Sequence, residues 1–296
     1  MDTDITNISQ EFDDILNSFT KKISSLNNFK VHMEESTEQS REHYIELHGE
    51  SKEEYIIGGN TASYFDIQKG TSECLEVTLN KFSDIMSTIS IYENKQYQWL
   101  LVDAYEAYED FLDEFYAYIG FIDNNFWMAK DYGSLAIDEI AKQNKEWFSI
   151  RVKDIRGRPN IIYKQTRKKI SLLNYYEKKN QLGIDLQFEI NLISKLRHVI
   201  VHNGGIIKDR DKFYDSVLNE VGLGPNNPTR KNYEGEINHY IGTNKTYNRL
   251  EVILFKHQIK EGQPGYIDRL DSHIGTLLSY AILLTSLTKK HLKGKG

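Results

Sequence analysis

Between residues 101 and 119 large apolar side chains recur at a spacing that only one secondary structure can use. Leu101, Tyr105, Tyr108, Leu112, Phe115 and Ile119 follow one another at steps of 4, 3, 4, 3 and 4. Side chains three and four apart share one face of an α-helix, whereas a strand alternates every second residue. Asp103, Glu106, Asp110 and Asp113 form a separate acidic stripe. The spacing predicts an amphipathic helix over about 96–119, whose apolar face must be covered by other helices, as in a bundle. The chain has 296 residues and only four prolines, where about 5% is usual. So few helix breakers predict a mainly all-α fold.

The same periodicity predicts further helices. Ile8, Phe12, Ile15, Phe19, Ile23 and Leu26 place one over 7–27. Residues 38–70 are polar and include Gly58-Gly59-Asn60, so a loop or short strands are expected there. Leu75, Leu79, Phe82, Met86 and Ile89 predict a helix from about 71 to 92, with Cys74 on its apolar face as a core residue. Others are expected over 133–149, from Pro159 to about Lys179, from an Asp185 N-cap through about His202, and over 211–221. A last one is expected over 266–291, where Ile267, Leu270, Ile274, Leu277, Ala281, Leu284 and Leu287 line one face. The Gly-, Asn- and Pro-rich stretch 222–235 reads as a loop, and the runs at 237–241 and 250–256 read as a small β-hairpin. The organisation expected is a helical extension over 1–70 and a helical domain over 71–296, with an insertion at about 204–265.

The net charge is −6, which argues against a protein that coats nucleic acid with its whole surface. That value hides a split. Residues 1–150 hold 11 Lys or Arg against 29 Asp or Glu, whereas residues 151–179 hold 10 against 2. Such asymmetry points to a polyanion held by one region only, or to a solvated basic face. One cysteine makes no intrachain disulfide, so a cytoplasmic protein is expected. The acidic opening MDTDITNISQEFDD lacks the positive n-region of a secretory signal. The apolar stretch 276–287 is shorter than the ~20 residues of a membrane span. No GxxxxGK[ST], GxGxxG or HExxH occurs, so kinase, dinucleotide and zinc-protease chemistry have no support. No cofactor is expected.

The segment that carries chemistry is LISKLRHVIVHNGG, at the end of the predicted 185–202 helix. Ile190, Ile193 and Ile200 form an apolar stripe, and the position that completes it is Arg197. A guanidinium buried without an anion is costly, so Arg197 must meet a ligand, a partner, solvent or an acid such as Glu106. His198 and His202 are four apart and share a face. His202 could cap the helix end, and a metal would need a third ligand that the neighbouring sequence does not supply. Asn203-Gly204-Gly205 is a stop signal, because Asn and Gly tolerate the left-handed conformation.

Arg197, His198, Val199-Ile200-Val201 and His202, followed by Asn203, resemble the signature of the HEPN superfamily (higher eukaryotes and prokaryotes nucleotide-binding), in its RNase-type members from bacterial abortive-infection and toxin systems. The resemblance covers residues 71–203 and the last helix. It leaves 1–70 and 204–265 unexplained. It implies a helical bundle that dimerises across a cleft and cleaves RNA without metal, with Arg197, His202, His198 and Asn203 as catalytic or supporting residues. It also implies an antitoxin or another restraint, such as occlusion by residues 1–70. The preceding basic residues Arg151, Lys153, Arg156, Arg158, Lys164, Arg167, Lys168 and Lys169 would then hold the RNA backbone through salt-dependent contacts. Tyr163, Tyr175 and Tyr176 could stack bases or pack in the core. Two other readings stay open: a non-catalytic module of the same fold that binds RNA, nucleotide or a partner protein, and a structural helical protein whose acidic half covers a basic partner.

Overall fold

The computed structural model describes residues 2–51, 55–57, 63–74, 79–244, 247–258 and 266–294. They are mainly helical, with small two-stranded antiparallel sheets. The order is α1 (Asp2–Ser51), β1 (Tyr55–Ile57), β2 (Ser63–Asp66), β3 (Thr71–Cys74), β4 (Leu79–Lys81) and α2 (Phe82–Ile122). Then come α3 (Ile137–Ile140), α4 (Lys145–Lys153), α5 (Asn160–Lys169), α6 (Ser171–Lys178), α7 (Leu186–Asn203), α8 (Arg210–Leu218) and α9 (Arg230–Asn238). The chain closes with β5 (Ile241–Asn244), β6 (Arg249–Val252), β7 (His257–Gln258), β8 (Tyr266–Ile267) and α10 (Arg269–Lys293). Among the described residues no helix is long and apolar enough to cross a membrane.

Contacts divide the chain into two units. The larger joins the residues up to Asn27 with those from Gln98 onward, and the smaller spans Asn28–Tyr97. The residues of the expected 1–70 extension fall in both units. The reason is packing at the start of α1, where Phe12, Ile15, Phe19 and Ile23 are buried. Phe12 lies 5.6 Å from the Phe115 ring and 4.9 Å from Tyr118, and Phe19 lies 5.4 Å from Phe111. The stretch from Phe12 to Ile23 is therefore part of the main core.

In the larger unit the predicted apolar stripe of α2 is at most 2% exposed along its whole length. At about 2 kcal/mol for each such side chain, it is the main hydrophobic element of the bundle. α7 packs on α10, α6 and α8. Leu270, Ile274, Leu277, Ala281, Leu284 and Leu287 of α10 are buried as their spacing predicts, but Ile267 is half exposed and lies in β8.

Several boundaries differ from the sequence expectation. α1 continues through 38–51, and the helices expected at 71–92 and 96–119 are one helix that starts only at Phe82. Ahead of it Thr71–Cys74 pairs with Ser63–Asp66, and Leu79–Lys81 with Tyr55–Ile57. Cys74 is thus an exposed strand residue, not a core one, and Leu75 and Gly58–Asn60 lie outside the described residues. The 133–149 region holds α3 and α4, with Asn144 capping α4 by accepting from the Trp147 amide. The helix expected from Pro159 to Lys179 breaks at Ile170, whose ψ of 84° is not helical. Part of the expected 222–235 loop is α9, anchored by Arg230, which binds Glu234, Asp215 and the Leu223 carbonyl. The hairpin forms at 241–244 and 249–252, so its first strand meets the expected 237–241 run only at Ile241, and residues 237–238 belong to α9.

Candidate functional site

α7 begins and ends where its sequence says. The Asp185 carboxylate accepts from the Phe188 amide, which satisfies one of the orphan donors of the first turn. At the far end Gly204 adopts φ 60°, and the Gly204 and Gly205 amides both turn back to the Val199 carbonyl. A Cβ on Gly205 would lie 2.5 Å from Gln98 Oε1, so this turn is pressed against α2. Gln98 in turn donates to the Val252 carbonyl at 2.6 Å. The end of α7 is therefore held by α2 on one side and by β6 on the other.

Arg197 does not face open solvent. Its Nη2 lies 3.3 Å from Glu106 Oε1 and 3.8 Å from Glu109 Oε2, and its guanidinium sits 6.0 Å from the Tyr105 ring. Its Nε is buried without a hydrogen-bond partner. Burial raises the Glu109 pKa, with the neighbouring guanidinium acting against it. Arg197 is one wall of a groove of about 470 Å³ that it shares with Arg158, Glu106, Glu109, Asp110 and Asp113. The ion pair with Glu106, one of the partners open in the sequence, is formed.

His198 and His202 point the other way. Both are exposed, with ring centroids 4.5 Å apart. Desolvation, His202, Lys195 and Arg197 all lower the His198 pKa, which favours its neutral form. Asn203 is half-buried, and its carbonyl accepts from the Ile206 amide. The structure thus brings the two histidines together but turns Arg197 toward α2. On a helix, residues five apart differ by about 140°, and the protomer does nothing to close that angle.

The basic residues divide by what they touch. Arg151 donates to the Asp131 carbonyl and pairs with Asp154. Arg158 pairs with Asp113. Lys153 lies in an acidic cleft of about 510 Å³ with Glu11, Asp14, Asp110, Asp113 and Glu114. Arg167 makes a bidentate pair with Glu177 at 2.8–3.0 Å, and Glu177 is fully buried. Gln187 and Tyr280 also donate to this carboxylate. Arg156, Lys164 and Lys168 are exposed and Lys169 is half-buried. Tyr163 is a core residue, while Tyr175 and Tyr176 reach solvent.

A pocket of about 250 Å³ was not foreseen from the sequence. It lies between α5 and the solvent-facing strip of α7, with Lys164 and Arg167 on one side and Gln187, Asn191 and Ser194 on the other. The signal that was available is Glu177, one of only two acids in 151–179. Gln187, Asn191 and Ser194 continue at helical spacing into His198 and His202, so pocket and histidine pair share one face of α7. No protein-family model, no curated protein and no solved structure matches this chain.

Proposed function

We propose that the chain is a metal-independent endoribonuclease of HEPN type, working as a homodimer. The observation that carries the reading is the solvent-facing His198–His202 pair, with Arg197 adjacent, at the end of an otherwise well-buried helix. In the reaction the 2′-hydroxyl of the RNA attacks the neighbouring phosphorus and the 5′-oxygen leaves. The products are a 2′,3′-cyclic phosphate and a 5′-hydroxyl. One proton must leave the attacking hydroxyl and one must reach the leaving oxygen, work that histidine does near neutral pH. His202 is the acid/base, His198 and Asn203 support it, and Arg197 stabilises charge on the phosphorane. Since Arg197 and His202 diverge on one helix, a second copy at the α7 end supplies the missing half. Such an enzyme fits a cytoplasmic toxin or anti-phage effector, restrained by an antitoxin or regulatory partner.

The test is incubation of RNA with the purified chain in EDTA, followed by analysis of the ends. Cleavage is expected to persist and to leave cyclic phosphates. Loss of cleavage on chelation, or 3′-hydroxyl ends, overturns the reading. A specific observation favours a second reading. Arg197 is engaged by Glu106 and Glu109, as in a module that binds RNA, nucleotide or a partner protein without cutting. That reading predicts RNA bound and intact in the same assay.

A further inference from the structure

The pocket between α5 and α7 is unlike the other polar clefts of the larger unit. The acidic cleft and the Arg197 groove each gather four or more carboxylates. Here two cations and neutral-polar groups line the space beside the apolar Ile190 and Val221, with one acid, Glu220, which Lys195 neutralises at 2.8 Å. Lys164 and Arg167 stand three residues apart on α5, so they share a face. Among the described residues no carboxylate pairs with Lys164. Arg167 is preorganised. Glu177 takes its Nε and Nη2, leaving Nη1 as the donor that Glu177 does not use. The Tyr163 ring lies 5.6 Å from its guanidinium.

In the same pocket Tyr105 is 2% exposed, and its buried hydroxyl has the Ser194 side chain beside it but makes no hydrogen bond of normal geometry. Leaving such a group unmade costs about 1–3 kcal/mol, and native structures rarely tolerate it without a reason. Tyr105 lines this pocket beside Ser194. Burial keeps its hydroxyl protonated, so it is available as a donor. At about 250 Å³ the space is below the ~300–1,000 Å³ of sites that engulf a drug-sized ligand. It suits one phosphate with its sugar. Ser194 lies four residues before His198, about 6 Å along the helix axis.

We infer that this pocket is a phosphate-binding subsite that holds one nucleotide unit of RNA beside the histidine pair, using Lys164, Arg167, Ser194 and the Tyr105 hydroxyl. The inference deepens the nuclease reading and rests on it only for naming RNA as the source of the nucleotide. Lys164 attracts the phosphate as a point charge, Arg167 offers a fixed donor, and the two hydroxyls complete its shell.

The experiment is calorimetric titration of the full chain in EDTA with adenosine 5′-monophosphate, with adenosine as the control. The monophosphate is expected to bind and adenosine is not. Lys164→Ala is expected to weaken binding by about ten-fold, and Tyr105→Phe by about three-fold. Because the buried Tyr105 hydroxyl makes no hydrogen bond of normal geometry, Tyr105→Phe is expected to unfold at the same or a higher denaturant concentration than the wild type, so weaker binding is not damage. No binding, equal binding of adenosine, or unchanged affinity in both variants overturns the subsite. The two readings fail separately. A chain that binds the monophosphate with these losses yet never cuts RNA keeps the subsite and loses the nuclease. A chain whose His202-dependent cleavage is indifferent to the monophosphate and to Lys164→Ala keeps the nuclease and loses the subsite.

Discussion

At the scale of single residues, position in the basic segment is a poor guide to role, and the two neighbours Arg167 and Lys168 make the point. Arg167 holds the fully buried Glu177. Removing the arginine leaves that carboxylate without its cation, a change that typically costs about 3–5 kcal/mol. The donations from Gln187 and Tyr280 place the cost toward the lower value. Lys168 is exposed, where substitutions stay within about 0.5 kcal/mol. Denaturant unfolding of Arg167→Ala and Lys168→Ala is expected to separate them by about 3 kcal/mol. Equal stabilities would mean that the Arg167–Glu177 pair does not hold the core. It follows that charge reversal at Arg167 is no clean probe of RNA binding, whereas Lys164 is. The Arg197–Glu106 pair was within reach of the sequence, because an arginine in an apolar stripe demands an anion and α2 offers an acidic one. The Glu177–Tyr280 contact was not, because 103 positions separate its members and no local pattern links them.

At the scale of elements, the end of α7 sets the direction of the histidines, and its two glycines do different work. Nothing lies within 4 Å of a Cβ built on Gly204. Gly204→Ala therefore costs only the left-handed backbone, about 1 kcal/mol. At Gly205 a methyl group would also meet Gln98, which is tied to Val252. Gly205→Ala is expected to be the more destabilising of the two in denaturant unfolding, and the reverse order would contradict this account of the turn. Elements with strong period or strong caps were legible: the α2 stripe, α7 between Asp185 and Gly204, and most of α10. What escaped lacks such signals. The run 28–51 is polar and carries no clean apolar face, so the length of α1 was hidden. α9 contains Gly235 and two asparagines, and its helix is held by the ion pairs of Arg230. β3 and β4 exist only through partners that local periodicity does not reveal.

At the scale of the molecule, the acidic first half and the basic segment meet in ion pairs across the larger unit. Arg158–Asp113 is one of them, and Arg197, farther along the chain, meets Glu106 in the same way. Within 151–179, Arg151, Arg158, Arg167 and Lys178 are engaged in ion pairs, whereas Arg156, Lys164 and Lys168 stay exposed. Stability should also respond to pH through His273. It is fully buried with neither ring nitrogen partnered, its ring lies tilted 4.3 Å from the Tyr240 ring, and burial pushes its pKa down to about 3. A histidine depressed in the folded state binds more protons when unfolded, so its contribution is present above the ordinary value of about 6.5 and is lost as pH falls toward 3. Replacing it by Phe is expected to flatten the fall in stability between pH 6.5 and 3, read from denaturation midpoints. An unchanged slope would assign that fall to other groups.

The central claim is that the α7 histidines do chemistry, and it is tested most directly by the rate at which His202→Ala cuts RNA in EDTA beside the wild type. His202 is exposed at the helix end, so the substitution leaves packing untouched. The account predicts that the variant keeps its unfolding midpoint and oligomeric state and loses at least about a hundred-fold in rate, the contribution expected of a positioned general acid–base. Cleavage by His202→Ala at the wild-type rate would contradict it.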